Sequence, residues 1–382
     1  MVSTRKERTL VVIELNGGND ALNTVIPYTN SLYYDHRPGI GIPQQDVVPL
    51  ASGGDAGEYG FNPNMPAVKD LWDAGNLAVI NGIGYPQPNR SHFRSRDIWY
   101  TAEPETIGTE GWLGAAIRDL DAKGENVLTG VNFGRGLTRA LVCKGVPVAS
   151  VGNLETYGLL PDIEDENVRH HALDALGRMY GPSGGRDIVA QALSENGAQA
   201  LMGADILRTA PELYSSSVEY VDTPISQGLR NAAQVMSAGL GTRILYAQHG
   251  SFDTHSDELR AHGKLWQDAS SAIACFTDDL KEQGLWDDTL VLVWSEFGRR
   301  VRDNGTGCDH GSGGVAFVFG GQVQGGLYGE YPSLREADLS EGDMAYTTDF
   351  RSTYATILDR WLDLDPDPIV HGQFEQFDFV AR

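Results

Sequence analysis

The stretch Thr9-Leu-Val-Val-Ile-Glu-Leu15 runs directly into Asn16-Gly-Gly-Asn-Asp20. A short run that is continuously apolar, rather than alternating, predicts a strand buried on both faces of a sheet. Gly17 and Gly18 allow a tight turn and a close backbone approach, although glycine also marks ordinary loops. The stretch therefore predicts a covered, mostly parallel sheet with the Asp20 carboxylate just beyond the carboxyl end of a strand.

The same kind of apolar run recurs along the chain and alternates with helical patterns, which predicts an α/β fold. We expect five more strands, at Leu77–Asn81, Val127–Phe133, Arg243–Ala247, Asp288–Ser295 and Gly314–Phe319. The clearest helix runs from Ser256, a credible N-cap, to Gly284, with apolar residues at three- and four-residue steps.

The domain organisation is predicted to be simple. The sequence has no internal repeat, low-complexity tract or long linker, so residues 1–382 are expected to form one domain. A helix-rich stretch at about 162–240 interrupts the sequence of strands and polar clusters. We expect it to be a helical insertion or cap beside the site.

Composition excludes several classes of protein. Of the 382 residues, 41% are hydrophobic, which is enough for a globular core. The net charge of −23 repels phosphate backbones, so nucleic acid is not an expected partner. Cys143, Cys275 and Cys308 lack the paired spacing of a zinc ribbon or redox motif, although two of them could pair on folding.

The amino terminus and the hydropathy pattern bear on location. No apolar segment with a cleavage site follows Met1, and no stretch approaches the roughly 20 apolar residues that span a bilayer. The chain is expected to be soluble: cytoplasmic as written, or periplasmic or secreted if an export signal has been removed.

Polar clusters follow four of the predicted strands. They are Asn16–Asp20, Asn89–Phe93, Gln248–His255 and Ser295–Arg300. In an open parallel sheet, ligands bind beyond the carboxyl ends of the strands, so these clusters can converge although they are distant in sequence. The sequence predicts a single site.

The residue types at these positions point to a divalent metal. Asp, Glu and His are ligands for zinc, manganese or magnesium rather than for soft metals. Asp253 and His255 alternate along an extended segment and can point to one side. Asp309 and His310 follow a glycine-containing loop that could fold back over the site. Each pair alone is more often an exposed, solvated turn.

Ser91 is the candidate nucleophile. It is positioned to begin a helix whose free N–H groups would bind an anion, and the alternative is that it is only an N-cap. If the first two predicted strands are neighbours, Ser91 would lie beside Asp20. Arg90, Arg94 and Arg299 could hold a phosphate or sulfate in a bidentate manner, although surface arginines are usually solvated.

Three further histidines have other interpretations. His262 lies on the apolar face of the long predicted helix, where a hydrogen-bonded core histidine is expected. His249 could be a ligand, a partner of a ligand, or a structural hydrogen bonder. His92 is expected to be a supporting residue, because its side chain should diverge from that of Ser91.

The sequence resembles the bacterial family known as domain of unknown function 1501 (DUF1501), a relative of the alkaline phosphatase and sulfatase superfamily. The resemblance lies in Leu15–Asn23, Arg90–Phe93, His249–Ser256, Ser295–Arg299, Asp309–Gly311 and Thr347–Arg351. It implies a three-layer α/β/α sandwich with a mostly parallel sheet, like alkaline phosphatase. It also implies a serine nucleophile, Ser91, and a metal site formed by Asp20, Asp253, His255, Glu296, Asp309 and His310.

Three departures from the superfamily pattern qualify this resemblance. Phosphatase-type relatives commonly have an Asp-His pair where this chain has Glu296-Phe297, which predicts an altered or missing second metal position. No cysteine begins the Cys-x-Pro-x-Arg motif that formylglycine sulfatases need. Relatives often carry a twin-arginine signal, whereas Arg5 and Arg8 are isolated.

These observations predict a metal-dependent hydrolase of phosphate or sulfate esters that acts on a small anionic substrate. Zinc or manganese is the expected metal, with magnesium and calcium as alternatives. Ser91, Arg299 and Arg90 are the expected catalytic residues. The alternative function is a non-catalytic, metal-containing binding or scaffold protein on the same fold. The oligomeric state cannot be read from the sequence.

Overall fold

The computed structural model of the chain describes residues 7–50, 58–134, 136–152, 154, 165–179, 203 and 206–381. Nine strands of the described residues form a main sheet and three form a small antiparallel one. In chain order the strands are β1 (Thr9–Leu15), β2 (Val25–Ile26), β3 (Val48–Pro49), β4 (Gly60–Phe61), β5 (Leu77–Gly84), β6 (Gly130–Phe133), β7 (Ala149–Val151), β8 (Ile244–His249), β9 (Thr289–Trp294), β10 (Gly314–Gly320), β11 (Gly326–Tyr328) and β12 (Thr348–Asp349).

The main sheet has the order β11-β5-β10-β9-β1-β8-β6-β7, and β12 also pairs with β5. Strand β1 lies near the middle, with Leu10 opposite Ile244 of β8 and Leu290 of β9. Only β10 runs against its neighbours, β5 and β9. The predicted mostly parallel sheet is confirmed, and the carboxyl ends of β1, β5, β8 and β9 lie at the same edge.

Helices cover both faces of this sheet. They are α1 (Ser31–His36), α2 (Pro66–Asp73), α3 (His92–Thr101), α4 (Trp112–Leu120), α5 (Glu166–Met179), α6 (Ala210–Leu213), α7 (Pro224–Ser237), α8 (Glu258–Glu282), α9 (Phe350–Thr356) and α10 (Asp367–Val370). Two apolar cores result, one containing residues of α2, α7 and α8, the other residues of α3, α4 and α9. The three-layer α/β/α arrangement is confirmed.

Strand β1 shows why the apolar pattern is continuous. Val11, Ile13 and Leu15 belong to one core, whereas Leu10 and Val12 belong to the other. All five side chains are at most 2% exposed, and burial of each such side chain contributes about 1.5–3 kcal/mol. The strand is therefore stabilised from both faces, as its sequence predicts.

The six predicted strands are all present, and the long helix differs from its prediction at one end. Helix α8 begins at Glu258, and Asp257, with φ +51°, occupies the cap position without a capping side-chain bond. The prediction that Ser256 caps the helix is therefore wrong. Gly284, with φ +68°, follows the last turn as predicted.

The predicted insertion at 162–240 contains at least one element of the central domain. Helix α7 packs against β8 and α8, and Ile225 and Leu229 are 1% and 0% exposed. Residues 162–164, 180–202, 204 and 205 lie outside the described residues, so a cap beside the site stays a prediction.

Two further predictions concern cysteines and membranes. Cys143, Cys275 and Cys308 are all free thiols, so no disulfide forms. Among the described residues, no helix combines the length and the apolar character needed to cross a membrane.

Candidate metal centre

The polar clusters after β1 and β8 meet at one edge of the sheet. Asn16 N–H donates to the His249 carbonyl (2.9 Å), and Phe252 N–H donates to the Asn16 carbonyl (3.1 Å). Gly17, with φ +125°, lies against the backbone of the segment after β8; an added Cβ would be 2.5 Å from the Asp253 nitrogen. The turn after β1 therefore needs glycine at this position, and it places Asp253 at the sheet edge.

Three histidines converge on the carboxylate of Asp253. The Nε2 atoms of His255 and His310 both lie 3.0 Å from Asp253 Oδ1 and 3.0 Å from each other. The Nε2 of His92 lies 3.5 Å from Asp253 Oδ2. One ligand atom from each of His92, Asp253 and His310 can be chosen so that all lie within 4.8 Å of one another. The arrangement brings the Nε2 atoms of three imidazoles within 3.5 Å of the Asp253 carboxylate.

The other nitrogen of each imidazole fixes its tautomer. His92 Nδ1 lies 2.8 Å from Glu296 Oε1, His310 Nδ1 lies 2.8 Å from the Arg90 carbonyl, and His255 Nδ1 lies 3.1 Å from Asp309 Oδ1. These oxygens can only accept, so each Nδ1 carries the proton. In the neutral rings the Nε2 lone pairs then face Asp253, an arrangement that suits a bound cation.

The residues present fit a divalent cation. The Nε2 of His92 is buried and has no hydrogen-bond partner, although buried polar atoms are normally paired. Neutral imidazole nitrogens and a carboxylate oxygen are donors suited to zinc and, with more oxygen, to manganese. His92, Asp253, His255 and His310 would hold the ion.

Asp253 stays ionised in this environment. Burial alone would raise the pKa of its carboxyl group, but the hydrogen bond from Arg299 and the charge of its guanidinium oppose burial, and the pKa is lowered to about 2. Arg299 Nη2 donates to Asp253 Oδ1 at 2.7 Å. A permanently charged carboxylate is what a cation at this point requires.

Comparison with known proteins identifies the family. The family model described as "Protein of unknown function (DUF1501)" matches residues 84–373, about three quarters of the chain. The chain belongs to the DUF1501 family. No functionally curated protein matches the sequence.

Several solved structures resemble the DUF1501 chain at a distance. The PsFucS1 sulfatase from Pseudoalteromonas sp. has a TM-score of 0.45 and 11% identity, with 98% of this chain and 72% of that chain covered. The C-terminal periplasmic domain of EcEptC from Escherichia coli, in complex with Zn, has a TM-score of 0.37 and 10% identity, covering 82% and 72%. The alkaline phosphatase from the Antarctic bacterium TAB5 has a TM-score of 0.37 and 12% identity, covering 85% and 95%.

Two predicted ligands of the DUF1501 chain lie behind histidines. Glu296 is fully buried, and both its oxygens accept from Gly17 N–H (3.0 and 3.1 Å) while Oε1 also holds His92. Asp309 is exposed and holds the outer nitrogen of His255. The structure therefore does not support their prediction as metal ligands, because these carboxylates orient the imidazoles instead.

A third predicted ligand, Asp20, lies in a separate buried cluster. Arg37 donates to both oxygens of Asp20, through Nη2 at 2.9 Å and through Nη1. Burial would raise the pKa of Asp20, yet the Arg37 charge lowers it, whereas burial and Asp20 raise the pKa of Glu258 well above its ordinary value. One ligand atom from each of Asp20, Glu258 and Cys308 can be chosen so that all lie within 4.8 Å of one another. Asp20 as a metal ligand therefore stays a prediction, although the Arg37 guanidinium already neutralises its charge.

The predicted substrate-binding role of Arg299 also does not fit. Arg299 is 0% exposed, and besides Asp253 it donates to four backbone carbonyl oxygens, those of Gly17, Gly18, Phe252 and Cys308. Its guanidinium fastens the loops after β1, β8 and β9 to one another. Arg90 is paired with the buried carboxylate of Asp343, at 2.9 Å through Nε and 2.8 Å through Nη2. Two nitrogens of its guanidinium are therefore already bound within the protein.

Ser91 lies at the start of α3 and is exposed. Its side chain makes no capping hydrogen bond, and its N–H donates to Asn89 Oδ1 at 2.9 Å. It is flanked by Arg90, whose carbonyl holds His310, and by His92. Its role as a nucleophile stays a prediction.

His92 is the residue of the centre that sequence reasoning did not predict as a ligand. The expectation of a supporting role stays untested, and the structure places its imidazole in a group around Asp253 that could hold a metal ion. Its place in the polar cluster Asn89–Phe93 was a usable signal. Arg37 and Glu258 gave no comparable signal, because neither follows a strand.

The remaining histidines are structural. His262 is 1% exposed, and its Nε2 lies 3.0 Å from Asn19 Oδ1, which confirms the predicted core histidine. His249 is buried and its Nε2 donates to the Leu265 carbonyl at 2.9 Å. Of the alternatives open for His249, the structure favours the structural hydrogen bonder.

Phe297 fills the space beside the two inner histidines. Its ring centroid lies 4.9 Å from that of His92 and 4.9 Å from that of His310. The ring is also tight against Gly18, where an added Cβ would be 2.3 Å from Cε2. The space beside His92 and His310 is therefore occupied by a ring that has no ligand atom, as expected if the second metal position is altered.

Proposed function

We propose that the chain is a metal-dependent hydrolase of phosphate or sulfate esters, acting at the centre formed by His92, Asp253, His255 and His310. One observation carries the proposal: three Nε2 atoms face one ionised carboxylate while each Nδ1 is anchored by an acceptor. Zinc or manganese suits these donors best. A divalent ion bound there would lower the pKa of a nearby hydroxyl group and offset developing negative charge.

The residues of the chain supply the other requirements. Ser91 is the proposed nucleophile, because its exposed hydroxyl lies between two residues that contact the centre. The first turn of α3 adds the positive end of a helix dipole, which favours a bound anion. Arg299 keeps Asp253 ionised, and Glu296 keeps the His92 lone pair directed at the centre.

The proposed reaction has two steps. Ser91 Oγ bonds to phosphorus or sulfur while the bond to the ester oxygen breaks, and the serine proton ends on the departing alcohol. Water then cleaves the seryl ester, releasing phosphate or sulfate and restoring the hydroxyl group.

The test combines metal analysis with ester assays. Purified protein is assayed with 4-nitrophenyl phosphate, bis(4-nitrophenyl) phosphate and 4-nitrophenyl sulfate, after chelation and after addition of zinc, manganese or magnesium. We expect turnover that depends on metal, and Ser91→Ala should abolish it while the metal content stays unchanged. Absence of metal-dependent turnover on all three esters would sink the proposal.

The same variant separates two nucleophiles. If Ser91→Ala retains most of the turnover, water rather than serine attacks the ester. The reaction class would then stand, and the serine mechanism would not.

A second candidate is a metal-containing binding or scaffold protein without turnover. Phe297, packed against His92 and His310, favours it, because an apolar ring occupies space beside the centre. In that case Ser91→Ala would leave ligand binding and the cellular role intact. Loss of the cellular role on this single change would argue against it.

A further inference from the structure

A cavity of about 500 Å³ opens beside α3. Phe93, Arg96, Asp97 and Tyr100 line it from this helix, and Leu137, Arg139 and Gln248 line it from the loop after β6 and the end of β8. Phe93, Arg96 and Tyr100 are spaced at three and four residues, so they form one stripe of α3. The cavity is therefore built on the helix that also presents His92.

This cavity begins within one helical turn of the metal centre. Arg96 Nε donates to the His92 carbonyl at 3.3 Å, and one turn of helix rises only about 5.4 Å. Phe93 is the residue directly after His92. None of the four residues of the centre lines the cavity, so the organic group of an ester held at the centre would have to pass along the first turn of α3 to reach it.

Arg96 supplies a cation to the cavity, and its guanidinium lies 5.9 Å from the centroid of the Phe93 ring. Among the described residues, no carboxylate oxygen lies within ion-pair distance of its guanidinium, whereas the nearby Arg94 and Arg139 both pair with Asp97. This is notable in a chain with a net charge of −23. An unpaired arginine in a cavity is suited to hold a carboxylate, sulfate or phosphate.

The rim and the floor of the cavity have different characters. Phe93 and Leu137 are large apolar side chains that are 83% and 42% exposed, and they present a flat apolar rim. The floor is fixed from below, because Tyr100 and Gln248 both donate to the buried Glu14, at 2.8 and 2.7 Å. A fixed polar floor under an apolar rim suits a ring-bearing ligand.

We propose that this cavity is the subsite for the organic group of the ester, and that it selects a ring-bearing group with a second negative charge, held by Arg96. The inference rests on the proposed function for the position of the reacting ester. It adds that the substrate carries two separate anionic groups, one bound at the metal centre and the other bound by Arg96.

The test measures binding rather than turnover, so that the two proposals can fail separately. Zinc-loaded protein is titrated by calorimetry with phenylphosphonate and with 4-phosphonobenzoate, which differ by one carboxylate. We expect the carboxylated compound to bind about tenfold more tightly or better, the usual size of a charge-assisted pair. Arg96→Gln should reduce this ratio to about one. Arg335→Gln, an exposed arginine paired with Asp338, is the matched control and should keep the ratio.

A second comparison tests the apolar rim. Phenylphosphonate should bind more tightly than methylphosphonate to the wild type, and Phe93→Ala should reduce that preference several-fold. Equal affinities of the two aryl compounds in the wild type, no measurable binding of either, or an unchanged ratio in Arg96→Gln would overturn the inference. A preserved ratio without ester turnover would overturn the proposed function alone.

Discussion

At the scale of single residues, the histidines around Asp253 lead to a first prediction. Replacing Asp253, His310 or His92 by alanine should remove bound metal, since each change deletes a donor, and should lower the thermal midpoint because the ion binds only the folded state. Elemental analysis and thermal unfolding with and without chelator provide the measurement. His262→Ala is the control: it should lose stability and keep its metal. Unchanged metal content in the three variants would show that the ligands lie elsewhere.

Glu296 gives a second prediction. Its carboxylate holds the Nδ1–H of His92 at 2.8 Å, so Glu296→Gln weakens the anchor while retaining an oxygen for Gly17 N–H. We expect zinc affinity to fall about 10- to 100-fold, measured by competition with a chromophoric chelator. An affinity equal to that of the wild type would mean that His92 is not a ligand.

A third prediction concerns His262 and pH. Burial lowers the pKa of His262 from 6.5 to about 4. Between these two pH values His262 is protonated in the unfolded state but neutral in the folded state. The contribution of neutral His262 to the free energy of unfolding is therefore complete above pH 6.5 and is lost as pH falls toward 4. The loss amounts to about 3 kcal/mol.

Replacement of His262 isolates that effect. His262→Gln keeps a donor for Asn19 and cannot titrate, so its free energy of unfolding, measured with urea between pH 7 and pH 4, should fall less steeply than that of the wild type. Parallel curves for the two proteins would contradict the assignment.

The candidate site was only partly predictable at this scale. Asp253, His255 and His310 were predicted from the sequence, and the structure brings them together. Asp20, Glu296 and Asp309 were predicted by the same reasoning but serve as partners of Arg37, His92 and His255. Sequence shows that a carboxylate follows a strand; it does not show whether the carboxylate faces the centre or a neighbouring side chain.

At the scale of elements, the turn after β1 gives a fourth prediction. Gly17 and Gly284 both have positive φ, +125° and +68°, but only Gly17 has no room for a Cβ; nothing lies within 4 Å of that position at Gly284. We expect Gly284→Ala to cost about 1 kcal/mol of stability from backbone strain. Gly17→Ala should cost about 2 kcal/mol more, because its Cβ meets backbone.

Urea unfolding of both variants measures the difference, and the metal content of Gly17→Ala should fall as well, because the clash displaces Asp253. Equal losses of stability would show that the contact with the segment after β8 can relax.

The elements themselves were largely predictable. Buried strands are marked by continuous apolar runs, which is why all six predicted strands are present. The start of α8 was not predictable. Ser256 has the residue type of an N-cap, but the first turn of the helix is held by a contact with a distant loop, because Glu258 N–H donates to the Thr306 carbonyl at 2.9 Å. Such a partner is 48 residues distant in sequence and leaves no local signal.

At the scale of the whole molecule, the net charge of −23 gives a fifth prediction. Like charges repel one another in the compact state, and salt screens this repulsion over about 10 Å at 0.1 M. The thermal midpoint, measured by calorimetry after chelation, should therefore rise between 10 and 200 mM sodium chloride. A midpoint that falls would mean that surface ion pairs, which salt weakens, outweigh the repulsion.

The order of strands is the part of the fold that the sequence could not provide. The possibility that β1 and β5, the first two predicted strands, are neighbours is contradicted: β9 and β10 lie between them. The position of each strand depends on pairing across hundreds of residues, and apolar runs of similar composition do not encode a partner. The continuous apolar runs do predict a mostly parallel sheet, in which the carboxyl ends of the strands share one edge. Eight of the nine strands of the main sheet run in one direction.

The central position of β1 has a consequence for synthesis of the protein. Its partners are Ile244–His249 on one side and Thr289–Trp294 on the other. Leu10 therefore pairs with Ile244, which the ribosome adds 234 residues later. At about 5–20 residues per second, the ribosome needs roughly 12–47 s to reach that point. During this interval the apolar strand β1 has no partner in the sheet. The nascent chain should therefore be a client of chaperones that shield apolar segments, and its yield should depend on them more than on the stability of the finished fold.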